Sequence, residues 1–160
     1  LRDRRIHTIS VGAARPSDLD LHLEAVGFLD HADALIAPVH TRLQQAARET
    51  LGEAWLNSWR TGLPPWQDTP GEINLPVLLW LHNLLEAWDL ESYARARYRL
   101  LGSGGHWFAG SNADALDAGV SIAELDAVLH ASPWRQQIPY ILSSLKTRLA
   151  GEAQMRLSSV

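Results

Sequence analysis

Thr69-Pro70-Gly71-Glu72-Ile73-Asn74-Leu75-Pro76-Val77-Leu78-Leu79 returns, with changes, as Ser132-Pro133-Trp134-Arg135-Gln136-Gln137-Ile138-Pro139-Tyr140-Ile141-Leu142. Each copy reads small hydroxyl residue, Pro, four residues, aliphatic residue, Pro, then an apolar helix start. Proline suits the first helical position, where its missing N–H has no partner to lose. Two helices are therefore expected to open at Pro76 and Pro139. The first, 76–88, carries Val77, Leu78, Leu79, Trp80, Leu81, Leu84, Leu85 and Trp88 and is apolar nearly all round, which predicts a central, buried helix. The second is expected to end near Gly151.

Outward from this repeat the pattern stays helical. Residues 90–101 hold Tyr93, Ala94, Arg97 and Tyr98 before Gly102, and a glycine-rich loop runs from Gly102 to Gly110. Ser121-Ile122-Ala123-Glu124 reads as a capping box opening a helix to about Ala131. Upstream, 29–36 predicts a short helix broken or restarted at Pro38 and continued to Gly52. Two more turns over Glu53 to Arg60 carry Trp55 and Trp59. Only the start differs. Arg5-Ile6-His7-Thr8-Ile9-Ser10-Val11 is rich in β-branched residues and stops at Gly12, which predicts a strand. Ser17 then predicts the N-cap of a helix from Asp18 to Gly27, with Leu19, Leu23 and Val26 on its apolar face.

With 160 residues, 46% hydrophobic and 20% charged, the composition is that of a soluble globular protein with one ordinary core. A net charge of −4 gives no electrostatic reason to expect nucleic acid or a membrane as partner. There is no cysteine, which excludes disulfides, thiolate metal sites and cysteine nucleophiles. The chain opens at Leu1 and reads like the middle of a longer protein, and the cytoplasm is its expected compartment.

The repeated phrase resembles the end of a bacterial-type iron–sulfur motif, C-x2-C-x2-C-x3-C-P, followed by an aliphatic-Pro helix start. On that spacing the ligand positions are Trp59, Gly62, Pro65 and Thr69 in one copy and Ile122, Leu125, Val128 and Ser132 in the other. None can ligate iron. The expectation is that bulky apolar side chains fill the cluster spaces, with Ile122, Leu125 and Val128 on one inward helical face. The order of elements is similar to the helical ferredoxin-like extension of some aldo/keto reductases. Gly62-Leu63-Pro64, Arg97-Tyr98-Arg99-Leu100-Leu101 and Gly104-Gly105-His106-Trp107-Phe108 are its more specific pieces. Ile9 to Leu19 looks like the family's late barrel strand, loop and helix, which hold the adenosine phosphate of a nicotinamide cofactor.

The resemblance implies a mostly α fold: residues 1–28 as a strand–loop–helix from the end of a (β/α)8 barrel, 29–151 as a ferredoxin-like bundle without clusters, and 152–160 as a tail. It implies Gly12, Ala13 and Arg15 as cofactor-phosphate residues, with glycine permitting close backbone approach and Arg15 supplying a cation. Asp18 stands where the family often has arginine and would repel a 2′-phosphate. The family's catalytic Asp, Tyr, Lys and His have no counterpart in the chain, so no catalytic residue, metal or cofactor of its own is expected. Tyr93, Tyr98 and Tyr140 are expected to pack rather than donate protons. None of His31, His40, His82, His106 and His130 has zinc-ligand spacing. The implied role is that of a non-catalytic accessory domain that braces an upstream barrel of the same protein or docks a protein partner. Two alternatives stand beside it: part of an active NAD(P)-dependent reductase, or a stand-alone interaction module.

Overall fold

In the computed structural model, which describes residues 5–102 and 108–152, the repeat forms two helices packed in one core. Leu75–Trp88 is α4 and Ile138–Leu149 is α7. Two matched pairs, Leu75 with Ile138 and Leu79 with Leu142, have no solvent exposure. α4 starts one residue earlier than the proline predicts, because the Asn74 side chain caps it by accepting the Val77 N–H at 3.2 Å. It ends without glycine; Asp89 adopts the left-handed conformation (φ 52°) and donates its N–H to the Leu85 carbonyl.

The remaining elements are α1 (Pro16–Gly27), a 3-10 turn (Leu29–His31), α2 (Ala32–Leu51), α3 (Glu53–Ser58), α5 (Glu91–Leu100) and α6 (Ile122–Val128). Three further 3-10 segments lie at Trp66–Asp68, Pro70–Glu72 and Ala113–Ala118. The described chain is thus mostly α, as the sequence predicts. It divides into two compact units, one up to Gln44 and one from Gln45.

The second unit has a continuous core built on α4, α5 and α7, with Trp55 of α3 and Leu125 and Leu129 at α6 added to it. Ser121 and Glu124 form the predicted capping box. The glutamate accepts the Ser121 N–H at 2.8 Å and hydroxyl at 3.0 Å, and the serine oxygen accepts the Glu124 N–H at 3.1 Å. Ile122, however, is 67% exposed, against the expectation of an inward triplet. Steps of three residues turn a helix by about 60° each, so the ends of such a triplet lie about 120° apart. The buried stripe is Leu125 and Leu129 instead, with Val128 packed at its margin.

The first unit departs most from expectation. No strand forms over Arg5–Val11, nor anywhere else among the described residues. A strand exists only as part of a ladder, and no described segment pairs with this one. Helix α1 is capped at Arg15 rather than Ser17, since Pro16 takes the first turn and Asp18 returns to the cap backbone. Pro38 does not break its helix; α2 runs through it, losing only the rung that the proline cannot make. Among the described residues of this unit, Ala32 is the buried apolar one. The expected tail beyond Glu152 lies outside the described residues.

Candidate functional site

Gly12, Ala13 and Arg15 are all exposed, and a Cβ on Gly12 would meet nothing within 4 Å. Two of the amides at this helix start are already engaged by a side chain. Asp18 Oδ2 accepts the Ala14 N–H at 2.8 Å and the Arg15 N–H at 2.9 Å. A phosphate seated there would have to displace that carboxylate and tolerate its charge. Beside this loop, a hollow of about 430 Å³ is lined by His7, Ile9, Val11, His22, Val26 and Leu29, and His22 Nδ1 is buried in the fold with no hydrogen-bond partner.

The two motif loops meet each other. A Cβ built on Gly62 (φ +70°) would overlap the Ala131 carbonyl and approach the Ser132 nitrogen to 2.7 Å. Thr69 and Ser132, matched in the repeat, are both buried and bonded within their own loops. The Thr69 hydroxyl lies 2.7 and 2.8 Å from the Trp66 and Ile73 carbonyls and donates its single proton between them, and the Ser132 oxygen accepts the Trp134 N–H at 3.3 Å. With no cysteine in the chain, and no group of three His, Asp or Glu placed to hold a metal among the described residues, neither loop offers a ligand set.

A pocket not legible in the sequence opens in the second unit. Helix α4 carries His82 and Glu86 one turn apart, α3 supplies Trp55, and the loop before α7 supplies Trp134. Together with Leu51 and Ile141 they line a hollow of about 300 Å³. The Trp55 and Trp134 rings meet at 65° with centroids 5.1 Å apart, and His82 stands edge-on to Trp55 at 5.7 Å. Both indoles are held: Trp55 Nε1 donates to Asn83 Oδ1 at 2.6 Å, and Trp134 Nε1 to Ser58 Oγ at 3.0 Å. Glu86 pairs with Arg148 of α7 at 2.6 Å. Burial pushes the His82 imidazole below its ordinary pKa, Glu86 opposes that and Arg148 adds to it, so the ring stays neutral near pH 7. The one sequence signal was His and Glu at i, i+4 on an otherwise apolar helix.

The arginines of α5 reach different partners. Arg95 pairs locally with Glu91, but Arg99 donates to the Leu149 and Ala150 carbonyls and so caps α7. Arg97 lies over the Tyr93 and Phe108 rings at 4.9 and 5.5 Å. Tyr98 has no solvent exposure. Burial, and then the nearby Asp114 carboxylate, push its phenol above the usual range. Phe108 packs against the core, and Ser111 pins the end of the glycine loop through its backbone bonds to Glu72 and Asn74. His106 and Trp107 lie outside the described residues. No described helix is long and apolar enough to cross a membrane. Comparison with protein-family models, curated proteins and solved structures found no match.

Proposed function

We propose that this chain is a non-catalytic accessory module of an aldo/keto reductase-type oxidoreductase. In this reading the part from Gln45 is a ferredoxin-like scaffold whose cluster sites have closed, and the part up to Gln44 docks on the reductase barrel of the same protein. The observation that carries it is the distribution of uncovered apolar surface. Among the described residues, twelve of the sixteen large apolar side chains left exposed lie between Ile6 and Leu43, including Leu21 at 63% and Leu23 at 70%. Scattered apolar residues on a surface need no explanation, but such a concentration marks an interaction face. Ile6, Ile9 and Val11 add a β-branched segment whose backbone has no ladder partner among the described residues, suited to joining a sheet edge.

The closeness of Gly62 to Ser132 supports the ferredoxin-like part. In two-cluster ferredoxins the fourth ligand of each motif serves the other cluster. Gly62 and Ser132 come from different copies of the repeat, as that crossed arrangement requires.

Size-exclusion chromatography with light scattering tests the reading. The chain alone is expected to self-associate, a shortened chain beginning at Gln45 to be monomeric and folded, and the full-length protein with its barrel to be monodisperse. A monomeric 160-residue chain with no affinity for a reductase barrel would overturn it.

A further inference from the structure

We infer that the hollow between α3, α4 and the loop leading into α7 binds a small alkylammonium cation. The half-buried Trp134, packed edge to face at 65° against the buried Trp55, lines the hollow together with Trp55 and the half-buried His82 ring. Cations are drawn to such surfaces by the ring quadrupole, most strongly to tryptophan and where water is excluded. The lining has one formally charged group, the Glu86 carboxylate, and its sign is negative. Arg148 fixes that carboxylate at 2.6 Å but is not part of the lining, and a carboxylate has further lone pairs to offer.

His82 completes the chemistry. His82 lines the hollow, and a neutral imidazole carries one ring nitrogen with a lone pair that can accept an N–H or O–H from a ligand. Burial favours that neutral form, which leaves the ring without a charge to repel a cation. A carboxylate or phosphate ligand would instead face Glu86. A hollow of about 300 Å³ suits a compact headgroup with a short chain.

This inference stands apart from the docking reading, since every residue it uses lies beyond Gln45. Its test is titration of the 160-residue chain with choline and with its uncharged isostere 3,3-dimethylbutan-1-ol, followed by tryptophan fluorescence and the His82 ring proton shifts. Choline is expected to bind saturably and at least about tenfold more tightly than the alcohol, and Glu86→Gln to reduce that preference to about threefold or less. Glu86 is exposed at the edge of the pocket, so loss of its pair with Arg148 should lower the melting temperature of that variant by no more than about 4 °C. Equal affinity for both compounds, an unchanged preference in Glu86→Gln, or no saturable response to choline would overturn the inference.

Discussion

Gly62 is packed against Ser132 so closely that a Cβ on the glycine would stand 2.7 Å from the serine's backbone nitrogen. The obstacle, which includes the Ala131 carbonyl, is backbone, and backbone cannot swing aside as a flexible side chain can. The contact joins the two copies of the repeat and leaves no space for a bulky group between these residues.

Gly62→Ala should therefore be severe. The left-handed backbone and the overlap together are expected to cost about 3 kcal/mol or more. Gly119→Ala, also at positive φ (108°) but with nothing within 4 Å, should cost only about 1 kcal/mol. Urea denaturation of the two variants compares these losses.

His82 should leave a signature in the pH dependence of stability. Its folded pKa lies below the ordinary 6.5, so the unfolded chain binds the proton more readily. Stability is then fully present above the unfolded value. It is lost as pH falls from about 6.5 toward the folded pKa, below which the loss is complete. Urea midpoints measured across that window should decline, and His82→Gln should flatten the decline relative to the parent.

Ser121→Ala should remove the hydroxyl that accepts the Glu124 N–H at 3.1 Å, destabilising the second unit by about 1 kcal/mol. Ser121→Asp should restore most of it, because aspartate is an equally good N-cap. Thermal denaturation followed by circular dichroism checks both.

Leu23→Ser should be nearly silent in the isolated chain, within about 0.5 kcal/mol, because the side chain is already 70% exposed. If α1 docks on a barrel, the same change should weaken that association measurably. A pull-down with the barrel domain separates the two effects.

How far the sequence revealed the structure depended on how local each signal was. Pro76, Pro139 and the pair Ser121 and Glu124 act within one helical turn, and each opens or caps the helix expected of it. The burial of Leu79 followed from a helix that is apolar nearly all round. Arg5 to Val11 was misread because β-branched composition expresses a preference, while a strand also needs a partner. Ile122 was misjudged because a spacing inherited from a loop motif does not hold one face of a helix. The cluster of Trp55, His82 and Trp134 was hidden, since it joins residues far apart in the chain through packing alone.

Amide hydrogen exchange, measured on this chain alone and together with a reductase barrel of the kind the reading proposes, tests the accessory-module reading most directly. The account predicts slow exchange over α4 and α7 in both samples, with protection over Ile6 to Leu43 weak in the isolated chain and strong when the barrel is present. Equal protection of Ile6 to Leu43 in the two samples would contradict it.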